Sequence, residues 1–312
     1  MGTQSARGAG VRVTCFAAGG PFAIEALTAL AAEHLVALVV RPAEAGPWWR
    51  RGARAVARAA RLRPEDAVEA WARARGIPTI DLAAVPSRAQ LAALHDAAAD
   101  VAGIATFPFL LTREVREAAA PRCVNVHPSL LPRHRGAGAL FWTYHAGDAH
   151  AGVTVHEAVD AFDAGPVVAQ VALPVARGES IVDVHRRCAV QGGALLARIV
   201  AEIRSGTSRP RQQDETLATR APAPRVSRVR SLLPEWDAAH AFHFLAGVLP
   251  IYLDPFTDVD GRAVPYGRVE GFETRASREA PGRVVRDGAG WAAWTRDGVV
   301  HLAPAHTRER VP

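Results

Sequence analysis

The chain has 312 residues, of which 49% are hydrophobic and 22% charged, so it can bury a full core and is not a disordered chain. Its net charge is +6, and all 37 basic residues are arginines, which fits either a polyanionic partner or an arginine-for-lysine habit of the whole organism. No uninterrupted apolar run reaches about 18 residues, the length that a membrane-spanning helix needs.

Three cysteines are spread along the chain and form no Cys-x-x-Cys pair: Cys15, Cys123 and Cys188. This spacing is typical of buried apolar residues in a reducing compartment, and not of a disulfide framework or a metal knuckle. The apolar N-terminal stretch is interrupted by Gly19-Gly20 and by two glutamates, which argues against a signal peptide. We therefore expect a cytoplasmic protein without a membrane segment.

The first third of the chain alternates short apolar runs with helical spacing. The runs predict strands at 11–17, 35–40, 79–80 and 100–105, and the spacing predicts helices at 22–33, 64–75 and 87–96. This alternation is typical of a doubly wound α/β domain with a mostly parallel sheet. The turn after the first strand is not GxGxxG, so no dinucleotide site is predicted.

Two tryptophans, Trp48 and Trp49, precede six arginines between residues 50 and 63. Aromatic rings beside guanidinium groups can stack on bases and pair with phosphates. The same composition also suits a solvated loop that leads into an amphipathic helix, which is the interpretation that we favour.

An unusually apolar loop, Thr-Phe-Pro-Phe-Leu-Leu, follows the 100–105 strand at residues 106–111. An exposed loop is not normally this hydrophobic, so the segment either packs inward or lines a pocket.

Polar and apolar residues alternate in Val124-Asn125-Val126-His127, the pattern of a half-buried strand. On such a strand the amide and the imidazole share one face, while the two valines point into the core. Pro128 ends the regular pairing. The carboxyl end of a strand is where open α/β sheets place their chemistry, although two polar residues facing solvent would give the same pattern.

The remaining chain predicts a helix at 137–146, strands at 152–157 and 166–173, and a long helix at 180–204. Linker composition then begins, and beyond it a helix at 237–248 is followed by short β-prone pieces joined by Asp-Gly turns. We therefore expect a large α/β domain at 1–206, a linker at 207–230 and a small β-barrel or sandwich at 231–312.

Three residues are candidates for one site. His127, with a free pKa of about 6.5, can take or give a proton, and Asn125 offers an amide donor to a developing oxyanion. Asp163, in the loop at 159–165, can orient the imidazole, raise its pKa or hold a water. Together they suit acyl-type transfer to a nucleophile that the substrate supplies, since no Ser or Cys has nucleophile-elbow surroundings. The other histidines make no HExxH or His-Cys pattern, so no metal is expected.

At these residues the chain resembles the folate-dependent formyltransferases. The similarity lies in Asn125-Val-His-Pro-Ser-Leu-Leu-Pro-Arg-His-Arg-Gly136, followed by Gly147-Asp, Gly152-Val-Thr-Val-His and Asp163-Ala-Gly165. It extends from the first strand to about Arg204 and continues more weakly beyond. The resemblance implies a Rossmann-like formyltransferase domain with a mostly parallel sheet, and a small β-rich, OB-like C-terminal domain.

The resemblance also implies an activity, the transfer of a formyl group from 10-formyltetrahydrofolate to an amine. In that role Asn125 polarises the formyl oxygen, His127 handles protons and Asp163 assists. Two loops would form the folate cleft, with these residues: Phe107, Pro108, Phe109, Leu110 and Leu111 in the first, and Val159, Asp160 and Phe162 in the second.

Two departures from the methionyl-tRNA members concern the acceptor. This chain has Ala18-Gly-Gly-Pro21 where they read Gly-Thr-Pro, and residues 137–142 replace their Ala-Ala-Pro-Ile. Phe141-Trp142 is closer to the small-molecule members, or is simply a helix packed on the sheet. We expect a small amine acceptor, an amino sugar or an N-hydroxylated ornithine. Methionyl-tRNA is the alternative, followed by a formyltetrahydrofolate hydrolase or a non-catalytic folate- or RNA-binding relative. Oligomeric state is left open.

Overall fold

The structure is a computed structural model, and it describes residues 10–43, 66–224, 232–249 and 256–304. The predicted aromatic and arginine-rich segment around Trp48 and Trp49 lies outside the described residues. Both interpretations of that segment therefore stay predictions.

A seven-stranded sheet organises the first part of the chain, in the order β3-β2-β1-β4-β5-β6-β7. Its pairs are parallel from β3 to β5, whereas β6 runs antiparallel to β5. The mostly parallel α/β sheet predicted from the alternating pattern is thus confirmed. The strands are β1 Arg12–Ala17, β2 Leu35–Pro42, β3 Thr79–Leu82, β4 Val101–Ala105, β5 Cys123–His127, β6 His150–Glu157 and β7 Val167–Pro174.

Seven α-helices lie within the described residues, and polar side chains cap several of their amino ends. Ser87 and Gln90 form a reciprocal capping box at the third helix, and the Asp66 and Thr112 side chains accept from backbone amides of the second and fourth. The helices are α1 Gly20–Glu33, α2 Ala67–Arg73, α3 Arg88–Asp96, α4 Arg113–Ala119, α5 Ala139–His145, α6 Ile181–Arg204 and α7 Ala238–Val248.

The strand order reverses between β1 and β4, the switch point at which open α/β sheets form a crevice. Gly19 and Gly20 follow β1 with φ values of 99° and 80°, a region that favours glycine. Thr106 follows β4, and its hydroxyl donates to the Gly19 carbonyl at 3.3 Å. The carboxyl ends of β1, β4 and β5 therefore lie side by side at one edge of the sheet.

One side of the sheet is sealed by a hydrophobic cluster that brings together β1, β2, β4, α3 and α4. Its fully buried members include Phe16, Val40, Leu82 and Leu94. Burial on this scale is what holds a helix against a parallel sheet, because each large aliphatic or aromatic side chain contributes about 1.5–3 kcal/mol.

The C-terminal part is built from antiparallel strands, as the Asp-Gly turns predict, and its β-rich character is confirmed. Four strands form a sheet in the order β10-β13-β12-β11, and β8 pairs with β9. The longest strand, β10, is not among the predicted ones. The strands are β8 Phe256–Thr257, β9 Ala263–Val264, β10 Tyr266–Thr274, β11 Val284–Asp287, β12 Gly290–Trp294 and β13 Gly298–Pro304.

By its internal contacts the chain forms two compact units. The first comprises residues 1–135, 152–172 and 186–219, and the second 136–151, 173–185 and 220–312. The predicted division into 1–206, 207–230 and 231–312 stays a prediction. Among the described helices, none combines the length and apolar composition that crossing a bilayer requires.

Candidate active site

Strand β5 presents Asn125 and His127 from one face, as the alternating pattern predicts. The two valines that alternate with them, Val124 and Val126, are fully buried. His127 is only 6% exposed, and Asn125 is half-buried. On the antiparallel neighbour β6, His156 lies directly opposite Asn125. An amide and two imidazoles therefore lie close together where β5 pairs with β6.

The loop after β6 brings the Asp163 carboxylate to these groups. Asp163 is 9% exposed and has a φ of 55°, a left-handed conformation that few residues other than glycine, asparagine and aspartate adopt readily. Two residues on, a Cβ at Gly165 would lie 1.8 Å from the Glu157 carbonyl oxygen, so only glycine fits there. The Asp-x-Gly spacing thus combines a carboxylate with the close approach that the loop needs.

One carboxylate oxygen, Oδ1 of Asp163, is the centre of the cluster. It lies 3.3 Å from Nδ2 of Asn125, 3.5 Å from Nδ1 of His127 and 3.5 Å from Nε2 of His156. The structure thus brings together all three residues predicted as one site. Their catalytic roles stay predictions.

The tautomer of His127 follows from its partners. Its Nε2 lies 2.9 Å from the His134 carbonyl oxygen, which can only accept, so Nε2 carries the hydrogen. In the neutral ring Nδ1 is then the free base, and it faces Asp163. Burial lowers the pKa of His127, and the Asp163 charge opposes that effect by raising it. His127 is therefore a buried neutral base with a carboxylate at its basic nitrogen.

His156 belongs to the Gly152-Val-Thr-Val-His motif and to the histidines tested for a metal pattern, but the sequence analysis assigns this residue no role in the site. Its Nδ1 donates to the Glu157 carbonyl oxygen at 2.9 Å, so its Nε2 is left as an acceptor. That nitrogen accepts from Nδ2 of Asn125 at 3.0 Å. The second imidazole therefore fixes which way the Asn125 amide points. Only the strand pairing, which a sequence does not reveal, places it there.

A buried polar network supports the loop that follows β5. The Thr154 hydroxyl donates to the Ser129 carbonyl at 2.6 Å and accepts from Leu131 N and from the Gln170 amide. The Ser129 hydroxyl in turn donates to the Arg133 carbonyl at 2.8 Å. Ser129 is thus engaged in holding the loop, in keeping with its lack of nucleophile surroundings.

The apolar loop at 107–111 combines the two alternatives that its composition leaves open. Phe107 packs inward on Phe16 with ring centroids 5.4 Å apart, and Leu111 belongs to the buried cluster. Leu110 is 38% exposed, Pro108 is also exposed, and Phe109 is half-buried against the edge of Phe107. Phe107 and Leu111 therefore anchor the loop to the core, and Pro108 and Leu110 expose apolar surface.

The residues predicted for the second folate loop, Val159, Asp160 and Phe162, lie in the same loop as Asp163. Phe162 is 56% exposed, an unusual position for a large aromatic side chain, while Val159 is half-buried. Asp160 pairs with Arg116 at 2.7 Å, and the same guanidinium donates to the Leu111 carbonyl. Arg116, on the unpredicted helix α4, therefore ties together the two loops proposed as a folate cleft.

The cysteines offer no nucleophile. All three are buried and none forms a disulfide, and burial raises the pKa of Cys15 and of Cys123, each to about 12, which keeps both thiols protonated. Within the described ranges, no three His, Cys, Asp or Glu side chains are arranged to hold a metal ion.

Residues 52–200 match the protein family described as Formyl transferase. A methionyl-tRNA formyltransferase of Pseudomonas paraeruginosa is 33% identical over 229 residues, covering 68% of this chain and 72% of the relative. One from Anaeromyxobacter sp. strain K is 33% identical over 235 residues, covering 70% of this chain and 72% of the relative.

Solved structures share the fold along nearly the whole chain. An N-formyltransferase from Helicobacter canadensis, solved with folinic acid and dTDP-3-aminofucose, superposes with a TM-score of 0.68 over 95% of this chain and 100% of its own, at 11% identity. WlaRD, a sugar 3N-formyltransferase, gives 0.65 over 96% of this chain and 100% of its own, also at 11% identity. At such identity the likeness is one of fold alone.

Sequence identity, coverage and fold agree on the class of enzyme. The chain belongs to the folate-dependent formyltransferase family, whose formyl donor is 10-formyltetrahydrofolate.

Proposed function

We propose that this enzyme transfers the formyl group of 10-formyltetrahydrofolate to the amine of a small molecule, with Asn125, His127 and Asp163 as its catalytic residues. The observation that carries the proposal is the convergence of an amide and two imidazoles on one buried carboxylate oxygen at the end of β5. Such a cluster offers a base, an oxyanion donor and a charge that stabilises the protonated base.

Asn125 is placed to stabilise the oxyanion. One of its amide hydrogens is held by His156 at 3.0 Å, and the other points to Asp163 at the longer distance of 3.3 Å. When the amine attacks the formyl carbon, negative charge develops on the formyl oxygen. The second hydrogen can turn to that oxygen while the first keeps the amide oriented, so little reorganisation is needed.

His127 is the base. Its Nδ1 takes a proton from the attacking amine, and the resulting imidazolium gains the Asp163 carboxylate at its charged nitrogen. The bond from the formyl carbon to the folate nitrogen then breaks, and the same imidazolium returns a proton to that departing nitrogen. Because burial keeps the ring neutral at pH 7, the base is ready before the amine arrives.

The donor would be bound by the two loops that Arg116 joins. Exposed apolar side chains on both loops, Leu110 and Phe162, are suited to the faces of a flat pterin ring. The remaining contacts of the cleft are assigned to Phe107, Pro108, Phe109, Leu111, Val159 and Asp160, largely through backbone groups. Phe107 and Leu111 serve mainly as anchors, because they pack inward.

The charge of the C-terminal part supports a small acceptor over a nucleic acid. Residues 231–312 hold nine arginines and eleven carboxylates, a net charge of −2 in a chain of +6. Four of the described arginines there pair with carboxylates, namely Arg268, Arg275, Arg283 and Arg296. A domain that binds tRNA needs basic side chains that are not already paired with carboxylates, because they must neutralise the phosphates. The fold shared with sugar formyltransferases points the same way.

Methionyl-tRNA is the second candidate acceptor, because the curated relatives at 33% identity are methionyl-tRNA formyltransferases. For either acceptor we place the enzyme in the cytoplasm, in keeping with three cysteines that form no disulfide.

The test is an assay of the purified protein with 10-formyltetrahydrofolate, following tetrahydrofolate formation with and without amines. The panel holds amino sugars, hydroxyornithine and charged initiator tRNA. Turnover that depends on a small amine, and is lost in His127→Ala and Asp163→Ala variants that remain folded by circular dichroism, is the expected result. Near-normal turnover in either variant would refute the assigned mechanism, and turnover without any amine would identify a hydrolase.

A further inference from the structure

A segment predicted as part of a linker contacts both the loop that follows β5 and the loop that carries Asp163. Residues 211–219, here called the strap, begin at the foot of β7, where Arg211 and Val167 exchange two backbone hydrogen bonds of 2.8 Å. They end at the loop after β5, where the Thr219 hydroxyl accepts from His134 N at 2.8 Å and its carbonyl accepts from Arg135 N at 2.9 Å.

The centre of the strap is Gln213. Its Nε2 donates to the Asp163 carbonyl at 2.8 Å and to the Gly165 carbonyl at 2.7 Å. Its Oε1 accepts from the Arg135 guanidinium, at 2.7 Å from Nη2 and 3.2 Å from Nε. All four hydrogen-bonding positions of the amide are thus filled, and the partners leave no doubt about which end is oxygen.

These contacts join the two halves of the candidate site. On one side, Gln213 holds the backbone of Asp163 in its left-handed conformation, φ 55°. On the other side, Arg135 directly follows His134, whose carbonyl oxygen fixes the tautomer of His127. The amide of Gln213 therefore contacts both the loop that carries the carboxylate and, through Arg135, the loop that orients the base.

We propose that Gln213, held by Arg135, is a positioning residue that sets the distance between the Asp163 carboxylate and the basic nitrogen of His127. This inference rests on the proposed catalytic roles of those two residues. A left-handed backbone at a residue other than glycine persists where its surroundings hold it, and here the two amide donors of Gln213 do so. Without the two amide donors, the Asp163 loop can relax and move its carboxylate away from the imidazole.

The test compares Gln213→Met, which keeps the length and removes the amide, with Gln213→Glu, which keeps an acceptor for Arg135 but loses both donors. The matched control is Gln212→Met, since Gln212 is the exposed neighbour. The primary readout is the titration of His127 by NMR of labelled imidazoles, assigned by the signal lost in His127→Ala. It needs no acceptor.

We expect His127 to titrate at lower pH in both Gln213 variants, because the carboxylate that raises its pKa has moved away, and to be unchanged in Gln212→Met. Turnover should fall on the order of 10- to 100-fold in kcat with little change in either KM. An unchanged His127 titration in the Gln213 variants would overturn the inference. If His127→Ala keeps wild-type turnover, the proposed function fails instead, whatever the titration shows.

Discussion

Three polar side chains surround the Asp163 carboxylate, and each interacts with it in a different way. His127 gains from its negative charge, Asn125 uses it as a temporary acceptor, and His156 lies at the same 3.5 Å as His127. Because Nε2 of His156 already accepts from Asn125, we assign the proposed proton transfer to His127.

The first residue-scale prediction concerns pH. Burial lowers the pKa of His127, so the neutral base persists below pH 6.5 and activity should fall only when pH drops through that lowered pKa. The charged or titratable groups that act on it are Asp163, which raises its pKa, and His156 and His134, which lower it. Asp163→Asn should therefore move the acid limb of kcat/KM further to low pH.

Asparagine is the right replacement because it tolerates the left-handed backbone that Asp163 adopts. The Gln213 contacts go to backbone carbonyls and survive the change. An acid limb that stays in place, or moves toward neutral pH, would show that Asp163 does not act on the titrating group.

The second residue-scale prediction concerns the oxyanion. Asn125→Leu keeps the volume of the side chain but removes both N–H donors, so kcat should fall by about 10²- to 10³-fold with the KM for the folate donor little changed. Steady-state kinetics with a formyl acceptor measures this. A fall of less than about tenfold would assign oxyanion stabilisation to another group.

The sequence predicts the position of a site residue when the evidence lies in the strand that contains that residue. Alternation alone places Asn125 and His127 on one face, since period two is a local property. The alternation does not identify His156 or Gln213. Their roles depend on which strand pairs with β5 and on where a polar, linker-like segment folds back. Arg116 is missed for the same reason.

At the scale of elements, helix α4 joins the two loops of the proposed folate cleft. Arg116→Met should weaken binding of the donor, raising its KM about tenfold with a smaller effect on kcat, because the loops lose the ion pair to Asp160 and the bond to the Leu111 carbonyl. The measurement is the initial rate against 10-formyltetrahydrofolate concentration.

Arg113→Met is the control for that variant. It lies on the same helix, its side chain is 79% exposed, and its partner is Glu117 one turn along. A KM that rises equally in both variants would mean that the helix, and not the Arg116 link, is responsible.

Two elements escape prediction for physical reasons. Helix α4 spans only Arg113–Ala119, and four of its seven residues are Arg or Glu, so few apolar positions mark a buried face, although Thr112 is a good N-cap and marks its start. Strand β10 contains glycines and charged residues that are poor strand formers, and its pairing with β13 overrides that preference. The long helix α6 and the strands of the parallel sheet carry strong patterns, and they are where predicted.

At the scale of the whole molecule, the basic charge is unevenly spread. The C-terminal residues 231–312 are net negative, so the excess of arginine lies in residues 1–230. We predict weak and strongly salt-dependent RNA binding, in the range of about 10⁻⁴ to 10⁻⁶ M at physiological salt. Titration of labelled tRNA at several salt concentrations measures it, and nanomolar binding selective for initiator tRNA would establish the methionyl-tRNA alternative.

The path of the strap has a consequence for recombination between related enzymes. A hybrid whose crossover falls just after α6, at Gly206, takes its catalytic loops from one parent and residues 211–219 from the other. A hybrid whose crossover falls after Thr219 takes the loops and the strap from the same parent. The contacts of Gln213 with Arg135 and Asp163 are then those of one natural enzyme. Hybrids between family members should therefore keep their turnover when the crossover lies beyond the strap, and lose much of it when the crossover lies at Gly206.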